Sequence, residues 1–114
     1  MWEVEFTGEC RGWFAGLESD ARISVNASIQ LLQRFGPALS RPHADTLKGS
    51  RFHNMKELRV GARRLAIRIA FAFDPDRKAI LLVAGDKRGV NEARFYKRLI
   101  ARADKLFEEY LKSR

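Results

Sequence analysis

Residues 55–87 read MKELRVGARRLAIRIAFAFDPDRKAILLVAGDK, and this stretch decides the fold. From 65 to 73 large apolar residues recur at every second position: Leu65, Ile67, Ile69, Phe71 and Phe73 fall on one side, Ala66, Arg68, Ala70 and Ala72 on the other. A two-residue period sends alternate side chains to opposite faces of a β-strand. The pattern predicts a strand with one packed face and one thinly covered face, and the thin face, where Arg68 stands among alanines, is where function is expected. Strands are predicted over 55–60, 63–73 and 79–86, joined by Gly61-Ala62 and by the turn Asp74-Pro75-Asp76-Arg77. Connections this short make an antiparallel meander.

Outward from that meander, WEVEF at 2–6 alternates Trp2, Val4 and Phe6 with two glutamates, the signature of a short half-buried strand at an edge or in the middle of the sheet. A helix is expected from Thr7, with Cys10, Trp13, Phe14 and Leu17 on one side, although Gly8, Gly12 and Gly16 weaken it. Ser19 or Asp20 can cap a second helix that runs to about Phe35, where Gly36-Pro37 stops it. Residues 37–54 hold two prolines and a glycine without periodicity and read as a long surface loop. The last helix is expected over about 91–111, with Phe95, Leu99, Ala103, Leu106, Phe107 and Tyr110 as its buried stripe. The fold class predicted is α+β, in one domain over 1–114.

Composition narrows the function. Of 22 Lys/Arg against 14 Asp/Glu, sixteen against six fall in residues 41–102, the block that contains the strands, whereas residues 1–40 carry three against five. A basic excess concentrated on one structural block suits a polyanionic partner such as RNA. Cys10 is the only cysteine, so no internal disulfide forms, and no Cys/His pattern has metal-ligand spacing. No cofactor or metal is expected. The glutamates of the first ten residues do not suit a signal peptide and no apolar run reaches membrane-span length, so a soluble, cytoplasmic protein is expected.

The order strand, two helices, three strands and a helix, together with WEVEF at 2–6, GP-x-L-x-RPHADTLKGS at 36–50, NMKELRV at 54–60, RIAFAFDPDRKAILLVAGDK at 68–87 and RFYKRLIARADKLFEEYL at 94–111, resembles the phage-derived HigB-like branch of the RelE/ParE toxin superfamily over nearly the full chain. That resemblance implies a RelE-like fold and the toxin of a type II toxin–antitoxin system, held inactive by a cognate helix-turn-helix antitoxin. It further implies a metal-independent endoribonuclease that enters the ribosomal decoding site and cleaves mRNA through attack of a ribose 2′-hydroxyl on the adjacent phosphate. Two other readings stay open: a member of the same fold that poisons a protein target such as DNA gyrase, and a non-catalytic RNA-binding module.

Such a reaction needs in-line positioning, stabilisation of extra negative charge and two proton transfers. Arg59 alternates out of the core with Glu57, and Arg68 needs a carboxylate or a phosphate as partner. Lys87 ends a strand beside two glycines, His53 is the histidine nearest the strands, and Tyr96 opens the last helix. Arg59, Arg68, Lys87, His53 and Tyr96 are the catalytic candidates; Lys48, Arg51, Lys56, Arg88 and Arg94 are candidates for RNA contacts.

Overall fold

The 65–73 segment is the central strand of a five-stranded sheet in the computed structural model, which describes residues 1–114. The elements are β1 (Glu3–Phe6), α1 (Gly8–Ala15), α2 (Ser19–Phe35), β2 (Ala44–Thr46), β3 (Met55–Ala62), β4 (Leu65–Phe73), β5 (Lys78–Asp86) and α3 (Glu92–Lys112), with one 3-10 turn at Gly36–Ala38. The sheet order is β1-β5-β4-β3-β2. β3, β4 and β5 form the expected antiparallel meander. β1 lies at the edge and runs parallel to β5, so the sheet is mixed.

Three expectations change. The stretch 37–54 is not all loop: Ala44–Thr46 pairs antiparallel with Leu58, Glu57 and Lys56 and adds a fifth strand too short to show a period. Gly61 and Ala62 belong to β3, and the tight connection falls on Arg63-Arg64 instead. The face of β4 that carries alanines is packed, not thin. Ala70 and Ala72 are fully buried with Met55, Ile80, Leu82, Leu99, Ala103 and Phe107, because α3 lies close on the sheet there and only a small side chain fits beneath it. The opposite face, with Ile67, Ile69 and Phe71, packs against Cys10 of α1 and Val25, Ile29 and Leu32 of α2. Burying each such side chain contributes about 1.5–3 kcal/mol.

Local signals explain the helix ends. Thr7 caps α1, its hydroxyl accepting from the Cys10 amide, and Asn91 caps α3 by accepting from the Arg94 amide. Ser19 opens α2 but no side chain caps it. Gly36 ends α2 at φ +54°, where the Trp2 indole lies so close that a Cβ would come within 2.4 Å of its ring atoms. Glycine is required there on both counts. A second irregularity lies in β5: Ala70 pairs with Val83 but Phe71 pairs with Leu81, so Leu82 is an extra residue, and both Leu82 and Val83 turn toward α3.

Candidate functional site

On the α3 side of the sheet, two short rows of charge run across the strands. Asp45 of β2 stands opposite Glu57 of β3, and the next row on the same face sets Arg59 of β3 opposite Arg68 of β4, with Gly85 beyond it on β5. Like charges directly opposite on neighbouring strands repel. Glu57, only 4% exposed, resolves the conflict in the arginine row. One of its oxygens accepts from Arg59 at 2.9 Å; the other accepts from the Tyr96 hydroxyl at 2.7 Å and lies 3.8 Å from Arg68 Nε. Arg68 also donates from one terminal nitrogen to the Ile67 carbonyl, and its Nε is the one buried side-chain nitrogen or oxygen without a hydrogen-bond partner.

Above this floor opens a cleft of about 650 Å³, lined by residues that include Arg41, Asp45, Lys48, Glu57, Arg59, Lys87, Glu92 and Tyr96. Lys87, at the end of β5, lies 6.0 Å from the Tyr96 ring centroid and pairs with Glu92. Arg41 pairs with Asp45 at 2.8 Å. Every cation of the cleft except Lys48 thus has a carboxylate partner of its own. Burial, and then the hydrogen bond and charge of Glu57, push the Tyr96 hydroxyl above its ordinary value, with Arg68 pulling the other way. At neutral pH it is a proton donor. The hydrogen bond from Arg41 holds Asp45 below the usual carboxylate range, and that from Lys87 does the same for Glu92. Both stay ionised and are weak bases.

The cleft therefore gathers Arg59, Lys87, Tyr96 and Lys48 from the sequence candidates, with Arg68 directly beneath as a buried support. The other candidates lie elsewhere. His53 is exposed on the turn before β3 and does not line the cleft. Arg51 is tied to the far half of α3 through Asp104 and Glu108. Lys56 alternates onto the opposite face of β3, where its amine reaches the Pro37 carbonyl. Arg88 pairs with Asp86, and Arg94 lines a separate groove on the other flank of α3. The residue absent from the sequence candidates is Glu57, which enters there only as the neighbour that alternates out of the core with Arg59. Its signal was present: Glu57 and Arg59 sit two apart on the face that also receives Arg68.

No three His, Cys, Asp or Glu side chains converge as a metal site would require, and no helix is long and apolar enough to cross a membrane.

Comparison with known proteins follows the same lines. The family model described as "Phage derived protein Gp49-like" matches residues 12–108. Two Mycobacterium tuberculosis proteins named as toxins are similar: HigB3, 50% identical over 101 residues covering 89% of this chain and 86% of that protein, and HigB2, 47% identical over 100 residues covering 87% of this chain and 49% of that longer protein. Among solved structures, a double arginine-to-alanine mutant of the Escherichia coli toxin RelE in the free state superposes with a TM-score of 0.63 over 88% of this chain and 94% of that one, at 11% identity.

Proposed function

The chain belongs to the phage-derived Gp49-like family of HigB-type toxins with the RelE fold, and from that premise we propose that it is a ribosome-dependent mRNA endoribonuclease neutralised by a cognate antitoxin. The observation that carries this reading is the meeting of Arg59 and Tyr96 on the buried Glu57 carboxylate, with Lys87 beside the Tyr96 ring, in a cleft open to solvent. A phosphodiester entering the cleft takes over the guanidinium of Arg59 and the amine of Lys87 from their carboxylates, and Lys48 adds the one cation without a partner. Concentrated positive charge at a site partly shielded from water stabilises the extra negative charge of the pentavalent transition state.

Tyr96 supplies the proton for the departing 5′-oxygen, since its raised value keeps it protonated until the leaving group demands the proton. Arg68, buried, acts from below as a fixed charge beside Glu57, and the partly exposed Arg59 takes the phosphate. The attack of the 2′-hydroxyl needs alignment, which mRNA held in the decoding site provides together with the cleft, and the proton it gives up passes to water in the open cleft. The basic residues of 41–102 then serve entry into an rRNA environment, with affinity that falls as salt rises. Such a protein works in the cytoplasm. Inducing the chain in cells and mapping new 5′ ends tests the reading: ends inside translated codons that vanish when translation is blocked are expected. Growth arrest without new ends would point to a protein target instead.

A further inference from the structure

On the flank of α3 away from the cleft lies a second groove of about 550 Å³, between the N-terminal half of α3 and the end of β5. Its floor is apolar, formed by Val83, Ala84, Phe95 and Leu99, and Val90 stands 54% exposed at its mouth. Two features there are unfinished. First, β1 stops at Phe6, opposite Leu81, so β5 from Val83 to Gly85 has β4 on one side and no strand on the other. An unpaired edge is a template for another chain's main-chain hydrogen bonds.

Second, Arg94, Arg98 and Arg102 line the groove four residues apart along α3. Like charges at this spacing destabilise a helix unless something neutralises them. Glu9 of α1 neutralises Arg102, at 2.6 Å; Arg94 and Arg98, the next two turns, have no carboxylate within salt-bridge distance. The row is filled at one end and open at the other.

We propose that this groove docks an extended acidic segment of a protein partner, added as a short strand along the free edge of β5 with its carboxylates on Arg94 and Arg98. The spacing fits. Four residues of helix rise about 6 Å. Two residues of strand rise about 6.6 Å, so alternate side chains of an added strand keep step with the arginines. The residues between them face the other way and are free to be apolar. Nucleic acid would meet the arginines equally well, but it offers no main-chain ladder to β5 and gains nothing from Val83 and Leu99. The groove lies on the other flank of α3 from the cleft and adjoins it along α3 and the end of β5.

A fluorescein-labelled octapeptide alternating valine and glutamate is the probe, read by anisotropy against the full chain at physiological salt. It is expected to bind saturably, whereas the valine–lysine octapeptide does not. Arg94→Glu with Arg98→Glu, both exposed and thus compatible with folding, is expected to weaken binding at least ten-fold. N-methylating alternate amides of the peptide, which leaves its charges intact, is expected to do the same. Undiminished binding by the N-methylated peptide, or by the charge-reversed chain, would overturn the proposal. So would failure of the peptide beside tight binding of an octauridine RNA that the same two substitutions abolish, which would make the groove a nucleic-acid surface.

Discussion

Replacing Glu57 by alanine removes the acceptor for Tyr96 and Arg59 and the only carboxylate within 4 Å of Arg68. Arg59 is partly exposed and can turn toward water, but Arg68 is 8% exposed and faces Arg59 directly across the strand pair. Stranding one partner of a buried ion pair costs about 3–5 kcal/mol. For 114 residues, at about 2.1 cal/mol/K of unfolding entropy per residue, that is a fall in Tm of roughly 12–20 °C. Glu57→Gln keeps an acceptor and loses the charge, so about 1–3 kcal/mol is expected. Glu57→Met with Arg68→Met removes both charges and should recover most of the loss, since apolar replacement of a buried pair is near neutral. Calorimetry gives the three melting points, and ultraviolet titration follows the tyrosines: without Glu57, Tyr96 should move back toward its ordinary value but not reach it, because burial remains. A shift in the alanine variant below about 4 °C, less than 1 kcal/mol on the same scale, would refute the role given to Glu57.

In single-turnover cleavage on programmed ribosomes, Arg59→Ala and Lys87→Ala should each slow cleavage by about a hundred-fold, the order seen when one transition-state charge contact is lost, with Arg51→Ala and Lys56→Ala near parental rates. Full toxicity of the first two would favour a protein target over a nuclease. Gly36→Ala should lose at least about 2 kcal/mol in denaturant titration, from a left-handed backbone and a clash with Trp2; melting unchanged would mean the Trp2 contact is not fixed. Asp74 and Tyr110 set opposite pH limits. Burial alone would raise Asp74, but the Tyr110 hydroxyl and two backbone amides outweigh it and hold Asp74 below the usual range, so its stabilisation is lost as pH falls through that lowered value. Tyr110 is pushed up to about 12 by burial and then by Asp74, so its contribution is full below the ordinary tyrosine value near pH 10 and disappears as pH rises toward 12. Asp74→Asn should flatten both limbs of the stability–pH curve, and two unchanged limbs would break the link.

Much of the fold was legible because the strands at 65–73 and 79–86 and the helix at 92–112 carry strong periods. β2 was not, since three residues hold no period and their strand state depends on β3 beside them. Nor was the covering of Ala70 and Ala72, since small residues read alike whether they face water or a closely packed helix. Arg59, Lys87 and Tyr96 could be named because charged and aromatic residues at strand and helix ends are conspicuous. The meeting of Arg59 and Tyr96 on Glu57, with Lys87 beside the Tyr96 ring, required the cross-strand register, which no single strand contains. His53 was selected for its chemistry and its nearness in sequence to the strands, but a residue just before a strand ends up wherever the preceding turn leads.

The extra residue at Leu82 has a consequence in parity. Before it, Ala79 and Leu81 face α1 and α2; had the alternation continued unbroken, Gly85 and Lys87 would face that way too. One added residue inverts the count, so Lys87 arrives beside Tyr96 instead. The lysine's place in the cleft therefore depends on a bulge five residues upstream, and not on its own chemistry. Deleting Leu82 would remove the bulge and leave Val83 opposite Ala70 and Lys87 on the cleft side, whereas straightening the strand with Leu82 kept would turn the lysine to the other face. A strand one residue shorter and without the bulge would carry its later residues on the same faces as this one.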